Sequence, residues 1–207
     1  ISMALKDMLG EKLIAVFDKS RETVHGRPGS VENKFILGTA GDTIEVLENG
    51  NRFLVNWETG QKTGFFIDQR ENRRLVGSCS KGKKVLNTFC YSGGFSVYSG
   101  LVGALEVHSV DSSKSAIAIA DENMKLNRLS NYKLFTEDVF NYLKTCDDYD
   151  LIILDPPAFA KNLKARHHAV IGYKRLNTAA IKKIRPGGIL FTFSCSQVVD
   201  KRLFQDT

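Results

Sequence analysis

Four short stretches of this sequence carry side chains that could do chemistry. Thr192-Phe193-Ser194-Cys195-Ser196 puts a thiol at the end of an apolar run. A free cysteine is most often a buried packing residue. At a strand end, beside helix starts and a basic segment, the same thiol can instead serve as a nucleophile. Asp155-Pro156-Pro157-Ala158-Phe159 follows the apolar run 149–154. Its two prolines stiffen the backbone and remove two amide donors. Asp155 and the nearby carbonyls are then free to accept hydrogen bonds from a flat heterocycle, and Phe159 can stack on its face. The competing reading is a rigid turn with a buried aromatic. Glu137-Asp138-Val139-Phe140 offers a third acceptor. Asp138 could take a hydrogen bond from an adenine amino group while Val139 and Phe140 flank the ring, or it could only cap the next helix.

The fourth stretch runs from Lys83 to Ser96 and reads as a buried strand, a tight turn and a helix start. Gly93 and Gly94 let backbone amides come close to a ligand, because no Cβ blocks the approach. The helix that follows points its positive end at that ligand. A second apolar run then ends in Asp111, placed to grip a ribose diol. The turn is not GxGxxG, so the dinucleotide fingerprint fails. It carries Phe89, Tyr91 and Phe95 beside Ser92, which suits a cofactor with little phosphate charge and favours S-adenosylmethionine over NAD. An ordinary βα turn, with Asp111 as a helix cap, is the plain alternative.

These residues need a scaffold that brings strand ends together. From Lys81 the pattern alternates: strand 84–89, helix 94–102, strand 105–110, helix 113–127, strand 132–136, helix 139–145, strand 149–154, helix 168–184, Pro186-Gly187-Gly188, strand 189–194. Such alternation predicts an α/β fold, Rossmann-like, with a mostly parallel sheet and helices on both faces. Ligands of such sheets bind at the carboxyl ends of the strands, where the turn, Asp111, Asp138, Asp155 and Cys195 all fall. Residues 1–75 predict a small α+β domain ahead of the sheet domain at 76–207. A helix is expected over 3–17, a polar loop over 18–41, and a hairpin through Asn49-Gly50, the strongest short-range hairpin signal. The segment 60–70, polar between glycines, could fold over the cofactor and bring Lys62 and Arg70 to its carboxylate or to a phosphate.

At 207 residues, 43% hydrophobic and 25% charged, the composition is that of a globular domain, not a disordered or fibrous chain. No run approaches the ~20 apolar residues that span a bilayer, so no membrane partner is expected. The four cysteines show no metal spacing, which points to a reduced, cytoplasmic setting and to no metal. The net charge of +6 permits a polyanionic partner. Its distribution says more: residues 156–199 hold no Asp or Glu but include Lys161, Lys164, Arg166, Lys174, Arg175, Lys182, Lys183 and Arg185. That segment reads as a phosphate-contacting surface, with Pro156, Pro157, Phe159 and Lys161 as candidate substrate contacts.

Taken together, the stretch 87–96, Asp155-Pro156-Pro157-Ala158-Phe159, Phe193-Ser194-Cys195-Ser196 and the segment 60–70 closely resemble one family. It is the class I S-adenosylmethionine-dependent RNA methyltransferases of the ribosomal large subunit methyltransferase I type, and the likeness covers about residues 10–207. The resemblance implies formation of 5-methylcytosine in large-subunit ribosomal RNA. It implies cofactor contacts at Arg70, Phe89, Tyr91, Ser92, Gly93, Asp111, Asp138 and Asp155, with Cys195 as the nucleophile and Asp155 holding or protonating the ring. It also implies an N-terminal PUA RNA-binding domain and last strands lying outside this chain, so a truncated chain is the expectation. Two rivals remain open. One is an N-methyltransferase that holds an exocyclic amine on the Asp-Pro-Pro loop and leaves Cys195 to packing. The other is a non-catalytic RNA-binding module.

Overall fold

The computed structural model describes residues 1–22, 32–60, 63–160 and 162–207. The chain forms two compact units, Ile1–Ile44 with Val55–Phe65, and Glu45–Leu54 with Phe66–Thr207. In the first unit, helix α1 (Ser2–Leu9) ends at Gly10, whose φ of 57° is left-handed. A 3₁₀ turn follows, then strand β1 (Ala15–Asp18), antiparallel to β2 (Lys34–Gly38). Phe17, Phe35 and Trp57 meet edge to face with centroids 4.7–5.6 Å apart. The helix expected over 3–17 is therefore corrected, because Val16 and Phe17 pack better on a pleated surface than on a helix. The loop expected over 18–41 is corrected as well, since it contains β2.

The hairpin forms as expected from β3 (Thr43–Glu48) and β4 (Asn51–Asn56). Asn49 and Gly50 both take positive φ, 52° and 82°, as a two-residue hairpin turn requires.

The second unit is built on a five-stranded, all-parallel sheet: β5 (Lys84–Thr88), β6 (Glu106–Asp111), β7 (Tyr132–Thr136), β8 (Tyr149–Leu154) and β9 (Ile184–Thr192), in the order β7-β6-β5-β8-β9. Helices α2 (Arg70–Ser78), α3 (Gly94–Leu101) and α4 (Lys114–Leu126) cover one face, and α5 (Val139–Thr145) and α6 (Arg166–Ile181) the other. A last short helix, α7 (Lys201–Gln205), packs on α6. Alternation along the strands sorts the core. Leu86, Val110, Ile152 and Leu154 face α5 and α6, where Val139, Tyr142, Leu143, Leu176 and Ala180 meet them. Burying each such side chain stabilises the fold by about 1.5–3 kcal/mol before entropy is counted.

The chain enters the sheet at β5, moves outward through β6 and β7, then returns to the other side of β5. The carboxyl ends of β5 and β8 thus flank the point where strand order reverses, the usual ligand crevice of such sheets. Pro186-Gly187-Gly188, expected ahead of the last strand, lies inside β9 as a bulge. Tyr149 pairs with Ile184 and Leu151 with Ile189, so residues 185–188 are extruded opposite Asp150. A Cβ on Gly188 would stand 2.5 Å from Ile184 Cγ2 and 2.9 Å from the Asp150 carbonyl, which is why a glycine is needed there.

Candidate functional site

The turn between β5 and α3 is held in an uncommon shape. Phe89 and Tyr91 have φ of 52° and 46°, and Gly93 has 75°. Left-handed backbone costs a non-glycine residue about 1 kcal/mol or more, so other bonds must hold it. Asp111, at the tip of β6, supplies one. Its Oδ2 accepts from the Tyr91 amide at 3.0 Å and its Oδ1 from the Ser113 amide at 2.9 Å. The Cys90 amide donates to the Val110 carbonyl and the Gly93 amide to the Cys90 carbonyl. Asn123, fully buried on α4, donates to the Ser92 carbonyl at 2.8 Å and accepts from the Leu54 amide at 2.6 Å. Phe66 meets Tyr91 edge to face at 5.5 Å.

The missing Cβ atoms of this turn are used for packing. On Gly93 a Cβ would lie 3.1 Å from Ala120 Cβ, and on Gly94 2.9 Å from Arg73 Cδ. The glycines thus let α3 seat against α4 and α2. Arg73 is buried and bidentate to Glu48, with Nε to Oε1 at 2.8 Å and Nη2 to Oε2 at 2.7 Å. It also donates to the Phe66 carbonyl at 3.0 Å, and the Tyr98 hydroxyl donates to Glu48 Oε1 at 3.0 Å.

The other acceptors lie at neighbouring strand ends. Asp138 caps α5, taking the Asn141 amide on Oδ1 at 3.0 Å, and the Glu137 amide donates to the Asp111 carbonyl. Val139 is buried in the core, while Phe140 is half-buried, with the Arg175 guanidinium 5.7 Å above its ring. Asp155, half-buried just past β8, accepts from Gln69 Nε2 at 3.1 Å, and Gln69 accepts in turn from Asn72 at 2.6 Å. Arg70 opens α2 beside Gln69, with Nε 3.2 Å from Glu71 Oε1. Pro156 is buried and Pro157 exposed. The Phe159 ring packs on Tyr173 at 4.7 Å, over Gly172. Lys161, Lys62 and the segment's Gln61 lie outside the described residues.

Cys195 is exposed, and its thiol points at the Pro156 carbonyl at 3.8 Å. Both neighbours are tied down. Ser194 Oγ donates to the Tyr173 hydroxyl at 3.0 Å, and Ser196 Oγ donates to the Ala160 carbonyl at 3.0 Å. Phe193 stacks on Phe95 of α3 at 5.5 Å, and its amide donates to the Leu154 carbonyl. The cysteine segment is thereby joined to both the Asp-Pro-Pro loop and the helix after the glycine turn. Tyr173 is buried, and burial foremost raises its pKa, with the nearby Cys195 and Asp155 adding to the rise. Cys90 is the opposite of Cys195. Burial, then the Asp111 charge, pushes its thiol well above the usual range, so it stays protonated. The described residues hold no His/Cys/Asp/Glu group able to bind a metal.

Carboxylates at the ends of β6, β7 and β8 would repel a pyrophosphate. They suit a nucleoside that brings a diol, an amino group and positive charge. That donor set fits the chemistry of S-adenosylmethionine. Asn123 and Tyr173 are residues around the site that sequence reasoning misses. The only available signal is a polar residue at core spacing in α4 and α6, which periodicity alone does not interpret.

The profile of the S-adenosylmethionine-dependent methyltransferases matches residues 20–204. A ribosomal RNA large subunit methyltransferase I of Aeromonas hydrophila is 39% identical over 99% of this chain and 53% of its own length. A ribosomal RNA large subunit methyltransferase of Deinococcus radiodurans is 44% identical over 81% of this chain and 42% of its own. Among solved structures, a protein named as a methyltransferase and crystallised with S-adenosylhomocysteine superposes with a TM-score of 0.84 at 28% identity, over 100% of this chain and 54% of that one. The chain spans about half the length of the curated relatives it matches.

Proposed function

Because this chain belongs to the S-adenosylmethionine-dependent methyltransferase family, we propose that it methylates C5 of a cytosine in large-subunit ribosomal RNA through a covalent Cys195 adduct. The observation that carries the reading is the thiol itself. It is exposed, 3.8 Å from the Pro156 carbonyl, and presented by a segment pinned on both sides. A packing cysteine would be buried, as Cys90 is. The names of the relatives support an RNA substrate, and the acid-free segment 156–199 supports a polyanionic one.

When bound, S-adenosylmethionine supplies an electrophilic methyl group. The chain's residues do the rest. Phe89, Tyr91, Ser92, Gly93, Asp111 and Asp138 hold the nucleoside, and Arg70 faces its carboxylate. The cytosine leaves its stack to reach the site, held by Pro156, Pro157 and Phe159, with Lys161 on a phosphate. The deprotonated Cys195 sulfur bonds to C6, and the electron pair displaced from the C5–C6 double bond makes C5 a nucleophile. Asp155 holds the ring N3 edge, passes the proton taken from the Cys195 thiol to N3 during addition, and takes it back on elimination. After C5 gains its methyl group, loss of the C5 proton to a base expels Cys195 and restores the double bond.

The test is trapping. RNA containing 5-fluorocytosine cannot lose its C5 substituent as a proton, so it should leave a gel-stable adduct on the wild-type protein and none on Cys195→Ala. Methyl transfer to ordinary RNA should fall by about 10³-fold or more in that variant. Label found on a ring or amine nitrogen, or full activity in Cys195→Ala, would overturn the adduct and favour direct N-methylation.

A further inference from the structure

Away from the strand ends, α5 and α6 enclose a groove of about 590 Å³. Its floor is apolar, and its rim carries Lys144 of α5 with Lys174, Arg175, Lys182 and Lys183 on α6 and just beyond. Lys174 and Lys182 are two i, i+4 steps apart along α6, the second at the helix cap, with Arg175 and Lys183 next to them in sequence on the same groove. Phe140 lies at one end, under the Arg175 guanidinium.

Ordinary helix chemistry explains part of this charge. Lys144 and Lys182 end their helices, where cations offset the macrodipole. Lys183 donates to the Cys146 carbonyl at 2.7 Å. Lys174 and Arg175 lie mid-helix, where the dipole offers nothing. Among the described residues none of the five is in an ion pair, and the nearby Asp147 is taken by Lys84 at 3.1 Å. Five cations outside any ion pair along one groove raise a positive potential that selects a polyanion.

We propose that this groove is a docking track for the sugar-phosphate backbone of the RNA whose cytosine enters the site. The proposal rests on the function argued above. The Lys174-to-Lys182 span is about 12 Å of helix, long enough to meet more than one backbone phosphate. Because α5 and α6 both start at the strand ends, RNA leaving the catalytic edge can follow the groove down the side of the sheet.

The experiment measures binding of a fluorescein-labelled RNA hairpin across potassium chloride concentrations, for the wild type, Lys174→Gln/Arg175→Gln/Lys182→Gln, and Lys144→Gln/Lys182→Gln. The triple variant should bind about tenfold or more weakly, and its log–log salt slope should shrink by about 2, near 0.7–0.9 per lost phosphate contact. Binding of S-adenosylhomocysteine should not change in either variant, which also shows that they fold. Wild-type affinity and slope in both variants would overturn the groove and leave the methyltransferase reading standing. A wild type that neither binds nor methylates RNA would sink both. Groove-dependent binding to phosphatidylserine vesicles, with RNA binding unaltered by the substitutions, would assign the groove to a membrane surface and reject the RNA track.

Discussion

Single residues at the site divide into those that present a reactive atom and those that hold its presenter. Asn123 is of the second kind, since one buried amide spans the Ser92 carbonyl and the Leu54 amide. Asn123→Ala would leave both buried partners unpaired, at about 1–3 kcal/mol each. The expected outcome is a lower melting temperature and weaker S-adenosylhomocysteine binding by calorimetry, with Cys195 alkylation unchanged. Tyr173 holds Ser194 and so aims Cys195. Tyr173→Phe should lower kcat about tenfold with KM for the cofactor unaltered, and a Ser194→Ala change made on top should cost little more. Equal losses in both parameters would mean that Tyr173 only supports the fold. The sequence made the presenters readable, because Asp155, Asp111 and Cys195 sit at the ends of recognisable apolar runs. It hid the holders, because what Asn123 and Tyr173 do depends on partners distant in the chain.

At the scale of elements, α2, α3 and the hairpin tip meet at one buried ion pair. Glu48 and Arg73 are both nearly inaccessible, and Arg73 also fills the space over Gly94. Glu48→Gln leaves a buried guanidinium without its counter-charge and should cost about 3–5 kcal/mol in a urea titration. Gly94→Ala pushes a methyl group against a side chain that cannot swing away, and should cost about 1–3 kcal/mol. Because both changes strain Arg73, their effects should fall short of additive in a double-mutant cycle. Elements with one strong period were legible: the βα alternation from β5 onward and the Asn-Gly hairpin. The segment 3–17 was not, because its apolar residues fit helical spacing up to Leu9 and sheet pairing from Ala15. Local periodicity cannot see that Leu37 and Phe35 complete the second choice. The Pro-Gly-Gly bulge looked like a boundary because breakers mark an interruption without telling whether the strand resumes in the same ladder.

For the whole molecule, stability should respond to pH through the buried His108. Its Nδ1 lies 2.7 Å from the Tyr149 hydroxyl and 3.2 Å from that of Tyr142, which burial pushes up to about 12. Burial foremost lowers the His108 pKa from its ordinary 6.5, against the opposing pull of Glu106. A lowered pKa means that the unfolded chain binds the proton more readily. The stability from a neutral His108 is therefore complete above 6.5 and is lost as pH falls below it. Melting temperatures between about pH 8 and about pH 5 should drop for the wild type, and the drop should be shallower in His108→Asn.

The strand order also sets a sequence in time. Strands β5, β6 and β7 with their helices are contiguous in the chain, and they carry Phe89, Tyr91, Asp111 and Asp138. The second wing, β8 and β9, must return past all of them to pair with β5, and it carries Asp155 and Cys195. Short loops close before long ones. As the polypeptide leaves the ribosome, the half proposed to grip the nucleoside can therefore assemble before the half proposed to attack the base has been made. A nascent chain arrested after β7 should already show protected amides in β5 and β6, so Cys195 arrives last, onto a glycine turn that is already built.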